Sequence, residues 1–592
     1  MMGEKNTLHD STDVISIHVG LADVLDSRQI GKELYIAIKE NQLRGLIENQ
    51  VFFAEMLDCL KYKFKRNEVE WQPPTERVTL IKHLQALMGL EEWSRVEYHS
   101  KSLDTPVIGF MHFWARYQKA EIDARCLRSA TCLPFTRYEN KKAFSNVLDD
   151  LLAYTDHRND GYLNYIRARL LFRLRRIPDA REALLTSINQ TPYNWLAWSF
   201  LPKFVDSKET LAEISVLLYR HWLKRLFIAE ARGRILPFTQ DEDVTAIYAE
   251  MLDTFRGSPY ILTQMAIQQQ NQRQVFSAIE LFRQIRVLDP YRLDHLDVLS
   301  NLLYVWNSES ELTYLAHFCI EVDKYRKETC AVIANYLSLR GQHDKAIAYY
   351  RRALTLDPEY AQGWTLMGHE GLQIRNTCLA MEAYRNATAI DPRDYHAWYG
   401  LGQLFEVMKM PYFALTYHRK AYALRPTDSR IIVAMADCYQ KLGEMDDAKK
   451  CYYKAYQTGD IEGMVLFNLA KLHKQLGEKE LARECYRKFL EECEERKLDD
   501  AEELGEALVY LAKAFFEEGK LDESLENAQK AFNYPLCREE SKMVIKQVSV
   551  ARGAEAAAGV STFRARHSTS RDGSLISRTG ASSLPTFKFS TP

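Results

Sequence analysis

Proline recurs at a fixed interval along the second half of this sequence. Pro358, Pro392 and Pro426 lie 34 residues apart, and Pro290 lies 68 residues before Pro358. A 34-residue period is typical of the tetratricopeptide repeat, in which each repeat is a pair of helices. The interval therefore predicts an all-α chain whose repeats stack as a superhelical solenoid.

A tryptophan follows three of the prolines at the same distance of six residues. The three pairs are Pro192/Trp198, Pro358/Trp364 and Pro392/Trp398. Proline has no N–H and disfavours helix at the preceding residue, so it ends the second helix of a repeat. The tryptophan then buries a large ring of the next helix against the previous repeat. We expect each pair to mark a joint between repeats.

Small and aromatic residues recur in register with these joints. In the repeat that ends at Pro392, Ala380, Tyr384 and Ala387 stand on the second helix. Alanine lets two antiparallel helices approach closely, and the aromatic ring fills the space between neighbouring repeats. Eight segments match this pattern at several positions, which a chance coincidence of one proline and one tryptophan would not produce.

The spacing also divides the chain. Residues 1–27 are polar and form a predicted flexible leader, and residues 28–240 form a predicted N-terminal helical array. The register breaks before residue 240, so a second, C-terminal array is predicted over residues 241–550. Residues 551–592 are rich in serine, threonine and arginine and are predicted to be a disordered tail.

Composition excludes several classes of function. The formal net charge is -2 over 592 residues, which gives no chain-wide basic surface for nucleic acid. No run of eighteen apolar residues occurs, so no membrane span is predicted. The eleven cysteines form no C-x-x-C pair, and we expect free thiols with no zinc site. No cofactor is predicted.

Enzymatic motifs are also missing from the sequence. His369 and Glu370 begin a string that resembles a metalloprotease helix, but Gln373 stands where that helix needs its second histidine. No phosphate-binding loop and no G-x-S-x-G turn occurs. The sequence therefore predicts a protein that is not an enzyme.

Polar residues are expected to line a concave groove in the C-terminal array. In this repeat class, positions 2, 5, 9, 12 and 13 of each first helix face the groove. Counted from Lys327, Ala361, Tyr395 and Ser429, they include Glu328, Asn335, Ser338, Gln362, Thr365, His369, Gln373, His396, Tyr399, Gln403, Glu406, Arg430, Asp437, Gln440 and Lys441, with Glu370 beside them. Acidic and amide side chains outnumber basic ones, which suits a peptide that carries arginine.

Two other classes of function stay open at this point. A repeat-containing co-chaperone would need a basic clamp, and Ala331 stands where its lysine is expected, although Asn335 matches. An enzyme that uses the repeats to dock its substrate would need a further large domain. For any single groove residue, an ordinary solvated side chain is an equally good interpretation.

Several strings are more specific than the repeat pattern. The sequence contains "SNLLYV", "YLAHFCIEVDKYRKETCAVIANYLSLRGQHDKAIAYYRRAL", "GWTLMGHE", "RDYHAWYGLGQLFEVMKMPYFALTYHRKAYALRPTDSR" and "AKKCYYKAY". These strings resemble the subunit 8 family of the anaphase-promoting complex, the Cdc-twenty-three type. The resemblance is strongest from about residue 255 to residue 490 and weaker before it.

The resemblance implies a non-catalytic scaffold subunit of this cell-cycle ubiquitin ligase, present in the nucleus and cytoplasm. Family members form homodimers through their N-terminal repeats and stack with sibling repeat subunits. Their C-terminal groove receives an arginine-containing box of a coactivator, and by position Asn335 and Glu370 match groove residues expected to contact that box. The full set predicted here for the coactivator groove is Asn335, His369, Glu370, Tyr399, Gln403 and Asp437.

Overall fold

The computed structural model describes residues 26–63, 71, 77–131, 141–155, 160–205, 207–235, 242–460, 463–496 and 502–565. Within these ranges the regular structure is helical, apart from one isolated antiparallel β-bridge between Leu60 and Phe255. The predicted all-α class is therefore confirmed. No helix in the described part of the chain combines the length and apolarity that a membrane crossing requires.

Contacts divide the chain into two compact units that meet in sequence between Met410 and Pro411. The helices of the first unit are α1 Ser27–Arg44, α2 Ile47–Asp58, α3 Val78–Gly89, α4 Trp93–His99, α5 Pro106–Thr131, α6 Lys141–Thr155, α7 Gly161–Arg173, α8 Ile177–Gln190, α9 Trp195–Phe200, α10 Lys208–Leu217, α11 Trp222–Ile235, α12 Glu242–Thr254, α13 Pro259–Asn271, α14 Val275–Leu288, α15 Leu296–Val305, α16 Glu309–Val322, α17 Lys327–Leu339, α18 His343–Leu356, α19 Ala361–Gln373, α20 Thr377–Ile390 and α21 Tyr395–Val407. Those of the second unit are α22 Pro411–Leu424, α23 Ser429–Leu442, α24 Met445–Thr458, α25 Val465–Gln475, α26 Lys479–Arg496, α27 Glu502–Glu517, α28 Leu521–Ala531 and α29 Arg538–Ala565. Short 3₁₀ helices lie at Leu201–Phe204 and Pro535–Cys537.

The repeat boundaries follow the proline spacing. Helices α14, α18, α20 and α22 each end two residues before a proline of the series, at Leu288, Leu356, Ile390 and Leu424. Helices α17, α19, α21 and α23 begin at the four residues from which the predicted groove positions were counted. The helix register read from the sequence is therefore the register of the structure.

The proline–tryptophan pairs are joined by a hydrogen bond. The indole Nε1 of Trp198, Trp364 and Trp398 donates to the carbonyl oxygen of Pro192, Pro358 and Pro392, at 2.9, 3.0 and 2.8 Å respectively. Each proline lies two residues beyond the preceding helix, so its carbonyl has no intrahelical partner, and the first helix of the next repeat supplies one. The six-residue spacing thus fixes the turn between repeats.

Buried alanine and tyrosine residues form the contacts between the two helices of a repeat. Ala346, Ala353, Ala380, Ala387, Ala448 and Ala455 are fully buried. Tyr350, Tyr384, Tyr452 and Tyr486 occupy one position of the second helix at multiples of 34 residues, and each is buried. These residues carry out the packing roles that the repeat pattern predicts.

The N-terminal helices pack against later parts of the first compact unit. The ring of Phe52 on α2 stacks on Trp195, with centroids 3.8 Å apart, and meets Tyr260 edge-on. Nearby, the buried Asn49 donates to the side-chain oxygens of Asn41 at 2.7 Å and Asn194 at 2.9 Å. One cluster of buried apolar residues runs from Ile30 to Ile261, on both sides of the predicted boundary at residue 240.

The predicted domain boundaries and the structure differ at two places. The contacts divide the chain after Met410, whereas the sequence placed its break at residues 240/241. Helix α29 continues to Ala565, although the tail was predicted to begin at residue 551. The alanine-rich run before residue 559 has high helix propensity, which extends the helix. Residues 566–592 and most of the predicted leader lie outside the described residues.

Candidate peptide-binding site

The predicted groove residues lie on the first helices of consecutive repeats. Asn335 is on α17, His369 and Glu370 are on α19, and Tyr399 and Gln403 are on α21, all in the first compact unit. Asp437 is on α23, in the second compact unit. Five of the six predicted residues therefore belong to the first unit and one to the second.

Asn335 is buried and all of its recorded hydrogen bonds are internal. Its Nδ2 donates to Ser300 Oγ at 2.7 Å and to Asn301 Oδ1 at 2.6 Å, both on α15. Its Oδ1 accepts from the hydroxyl of Tyr350 on α18. Asn335 thus joins three helices, and its side-chain amide is already satisfied without a peptide.

Glu370 is only 5% exposed, and both of its carboxylate oxygens accept hydrogen bonds. Ser338 Oγ donates to Oε1 at 2.6 Å, and His343 Nδ1 lies 2.8 Å from Oε2. A buried carboxylate needs such partners, because burying it without them would cost several kcal/mol. The carboxylate stands between serine and histidine, so this trio lacks the serine–histidine bond of a nucleophilic triad.

His369 faces the second helix of its own repeat. Burial, aided by the charge of His396 and partly opposed by Asp394, lowers the pKa of His369 to about 4. Burial also raises the pKa of Tyr384, so its phenol stays protonated. The Tyr384 hydroxyl therefore donates to the neutral His369 ring, with Oη 2.8 Å from Nδ1.

Two glycines leave the space that the Tyr384 ring occupies. A Cβ added at Gly368 or at Gly400 would lie 2.5 Å from the ring carbon Cε1 of Tyr384. Real Cβ atoms do not approach so closely, so only glycine at both positions admits the ring between α19 and α21. The hydroxyl of Tyr384 is thereby aimed at His369.

A second polar link joins α19 to the start of α21. Thr365 Oγ1 lies 3.0 Å from Asp394 Oδ2, and Asp394 Oδ1 accepts from the backbone N–H of His396 at 3.0 Å. Burial alone would raise the pKa of Asp394, but the hydrogen bond and charge of His396 lower it. Tyr399 and Gln403, one and two turns further along α21, are half-buried.

Asp437 lies beside a cleft in the second compact unit. Its Oδ1 accepts from the hydroxyl of Tyr452 on α24. Asp437, Gln440, Lys441, Met445 and Gln475 line the cleft, whose volume is about 360 Å³. Across it, Gln440 Nε2 donates to Gln475 Oε1 at 2.8 Å. This cleft combines a carboxylate, amides and one ammonium, as the sequence predicted for the groove.

Sequence reasoning missed the hydrogen bonds of the second-helix tyrosines. Tyr350, Tyr384 and Tyr452 were assigned to packing, yet each bonds to a predicted groove residue fifteen positions earlier: Asn335, His369 and Asp437. The constant spacing of fifteen residues was available in the sequence. His343, which binds Glu370, had no periodic signal.

Comparisons with known proteins agree on one family. A family model described as "Anaphase promoting complex subunit 8 / Cdc23" matches residues 29–266. The Dictyostelium discoideum protein "Anaphase-promoting complex subunit 8" is 40% identical over 223 residues, which cover 37% of each chain. The human "Cell division cycle protein 23 homolog" is 36% identical over 320 residues, 52% of each chain. Over residues 29–266 the chain is similar to the anaphase-promoting complex subunit 8 / Cdc23 family.

The match to the subunit 8 / Cdc23 family model lies N-terminal to all of the strings that suggested the resemblance. A tetratricopeptide-repeat model matches residues 328–360, 429–457 and 465–495, further along the chain. The chain spans 37% of the Dictyostelium relative and 52% of the human one. The two models together match segments of both compact units.

A solved structure shares the fold. The chain matches "Crystal structure of APC/C hetero-tetramer Cut9-Hcn1" with a TM-score of 0.52 and 13% identity, covering 80% of this chain and 96% of that one. At this identity the likeness concerns the fold alone. It confirms the tetratricopeptide-repeat architecture that the 34-residue period predicts.

Proposed function

We propose that this chain is a non-catalytic scaffold subunit of the anaphase-promoting complex ubiquitin ligase. In this role it binds sibling repeat subunits, forms a homodimer through residues 28–240, and supports cell-cycle-regulated ubiquitination and mitotic progression in the nucleus and cytoplasm. The observation that carries the proposal is the similarity of residues 29–266 to the subunit 8 / Cdc23 family model, together with relatives of that name. The alternative is a co-chaperone or another adaptor built from the same repeats.

The chemistry of the candidate site supports a binding role. Its carboxylates, amides and hydroxyls are paired with one another, as in Ser338–Glu370 and Tyr350–Asn335. A catalytic group would need to be aimed at a substrate with its reactive atom available. In the described part of this site, Ser338 donates its hydroxyl proton to Glu370 and not to the His343 ring.

We place the arginine of a coactivator box at Glu370 in the first compact unit. Of the two partners of Glu370, the His343 side chain is 29% exposed and bonds to Oε2. A guanidinium can replace this ring and form a charge-assisted bond to the same oxygen, while Ser338 keeps Oε1 in position. Asn335, three residues before Ser338 on α17, holds that helix against α15 and α18.

The subunit assignment is tested by purifying the tagged full-length chain from dividing cells and identifying what co-purifies by mass spectrometry. We expect a cullin-like subunit, a RING subunit and sibling repeat proteins. Recovery of chaperones without these subunits would overturn the assignment in favour of the co-chaperone alternative. Recovery of neither group would leave only the repeat architecture standing.

The peptide site is tested separately by fluorescence anisotropy with a labelled coactivator peptide that contains the arginine box. Glu370→Gln removes the charge and should weaken binding roughly tenfold. His343→Ala leaves Oε2 open and should not weaken it. Glu382→Gln, on the exposed face of α20, is the matched control and should leave affinity unchanged. Equal affinity of the Glu370→Gln and control variants would rule out this placement.

A further inference from the structure

An exposed apolar surface lies at the end of α14 and along α16, two second helices in the first compact unit. Val287 on α14 is 82% exposed, Tyr291 after it is 72% exposed, and Tyr314 on α16 is 63% exposed. Leu288 is also exposed, and Phe318 on α16 is half-buried. We call these five residues the aromatic patch. Large apolar side chains grouped in this way mark an interaction surface.

The rings of the aromatic patch form a ladder. Phe318 stacks on Tyr291 with centroids 6.1 Å apart, and on Tyr314 with centroids 6.4 Å apart. The guanidinium carbon of Arg286 lies 5.2 Å from the Phe318 ring centroid and 5.4 Å from that of Tyr314. The two rings therefore hold the guanidinium in one orientation by cation–π attraction.

Arg286 has no anionic partner in the part of the chain that the structure describes. No carboxylate oxygen lies within ion-pair distance of it, and its Nε is buried without a hydrogen-bond acceptor. Arg283, one turn earlier on α14, shows the contrast. It pairs with Glu311 of α16 at 2.7 Å and with Glu280 at 3.4 Å. The same helix thus carries one satisfied arginine and one that is oriented but unsatisfied.

We infer that the aromatic patch and Arg286 bind a segment of a partner protein that carries a carboxylate next to apolar side chains. The carboxylate pairs with the Arg286 guanidinium, which offers parallel donors in a fixed plane. The apolar side chains of the segment cover Val287, Tyr291 and Tyr314. This surface lies on second helices, whereas the candidate peptide site lies on first helices, so the inference does not depend on the proposed function.

The local charges favour a carboxylate over a polyanion. Nucleic acid and anionic lipid surfaces are bound by several cations together. Here the neighbouring cation on α14, Arg283, is already neutralised by carboxylates, so the patch does not offer the several cations that a polyanion needs. One unpaired guanidinium beside five apolar residues matches one carboxylate in an otherwise apolar segment.

The test uses the full-length protein and two synthetic peptides in a fluorescence anisotropy titration. The probe is fluorescein-labelled Gly-Ala-Leu-Trp-Asp-Leu-Gly, which carries one side-chain carboxylate, and its twin has asparagine in place of the aspartate. The twin should bind roughly tenfold more weakly, and Arg286→Gln should weaken binding of the probe by a similar factor. Arg286→Lys keeps the charge but not the planar guanidinium. The affinity of this variant for the probe should therefore fall between that of the unsubstituted protein and that of Arg286→Gln.

Arg283→Gln is the matched control, because that arginine is already paired, and it should change the affinity by less than about twofold. Circular dichroism melting curves check that each variant folds. Equal binding of the probe and its twin would show purely apolar contact and would overturn the inference. Displacement of the probe by millimolar inorganic phosphate would show a general anion site and would also overturn it.

Discussion

The Tyr384 hydroxyl lies 2.8 Å from Nδ1 of His369, and this bond links the two helices of one repeat. The same relationship recurs between Tyr350 and Asn335, one repeat earlier. A polar residue on the first helix is thus paired with a tyrosine fifteen positions later on the second helix. Residues that the sequence predicted to bind a ligand therefore link the two helices of their own repeat.

Tyr384→Phe removes this bond and leaves the ring in place. We expect the free energy of unfolding to fall by about 1 kcal/mol, because the neutral His369 ring loses its buried donor. Urea denaturation followed by circular dichroism measures the change. Tyr486→Phe is the control at the equivalent position, since the buried Tyr486 hydroxyl has no acceptor among the described residues. Equal destabilisation by both changes would contradict the prediction.

The repeat architecture could be predicted because it depends on residues that repeat. Pro358 follows the end of one helix, and Trp364 lies near the start of the next. The two residues are six positions apart and are joined by a hydrogen bond. The first helices of four repeats accordingly begin where the sequence places them. Local geometry of this kind is encoded in the spacing itself.

The burial of the site could not be predicted in the same way. Periodicity places Glu370 beside the groove positions, but it does not say that Ser338 and His343 from the neighbouring repeat enclose it. Such contacts depend on how closely two particular helices pack. The break at Met410 escaped prediction for a related reason, because the repeat pattern passes through it unchanged.

The stability of the protein should depend on pH through His369. Its folded-state pKa of about 4 lies below the ordinary value of 6.5, so the unfolded chain binds this proton more readily. The contribution of the neutral His369 ring to the free energy of unfolding is therefore complete above pH 6.5 and is lost as the pH falls toward 4. Because the ring is partly exposed, we expect a loss of roughly 2 kcal/mol over this window, less than full burial would give.

Urea denaturation at a series of pH values measures this dependence. His369→Gln removes the titrating group and should flatten the curve between pH 6.5 and 4, whereas loss of stability at lower pH, where carboxylates titrate, should remain. Identical curves for the variant and the unsubstituted protein would show that His369 does not contribute.

Glu370 and Ser338 should be energetically coupled. Glu370→Ala leaves the Ser338 hydroxyl and the His343 ring without their acceptor and should cost about 2 kcal/mol of unfolding free energy. Ser338→Ala removes one of the two donors and should cost about 1 kcal/mol. A double-mutant cycle by urea denaturation should give a coupling near 1 kcal/mol. Additive effects would mean that the 2.6 Å bond contributes nothing.

The indole bond at a repeat joint should be measurable. Trp364→Phe keeps an aromatic ring but removes the N–H that donates to the Pro358 carbonyl at 3.0 Å. We expect a loss of about 1 kcal/mol, read from the urea midpoint. Trp306→Phe is the control, because Trp306 is half exposed and its indole donates to no acceptor among the described residues. A larger effect of the control would contradict this account of the joint.

Arg173 on α7 forms ion pairs with two carboxylates, one buried and one more than one-third exposed. Its Nε lies 2.5 Å from Oε1 of the buried Glu121 on α5, and its Nη1 lies 2.5 Å from Oε1 of Glu359, before α19. Burial alone would raise the pKa of Glu359, but the charge and hydrogen bond of Arg173, together with the charges of Lys203 and Arg169, outweigh it and lower the pKa. The contribution of Glu359 is therefore present above its ordinary pKa of 4.5 and is lost as the pH falls below it.

Glu121→Gln should cost about 3 kcal/mol of unfolding free energy, because Arg173 loses its bidentate, water-excluded partner. Glu359→Gln should cost under about 1 kcal/mol, since this carboxylate is more than one-third exposed. Urea denaturation at pH 7 compares the two, and 1 M NaCl should reduce only the smaller effect, because salt screens exposed pairs. If Glu359→Gln were the more damaging change, the link between α7 and the start of α19, and not the α5–α7 pair, would be the stronger contact.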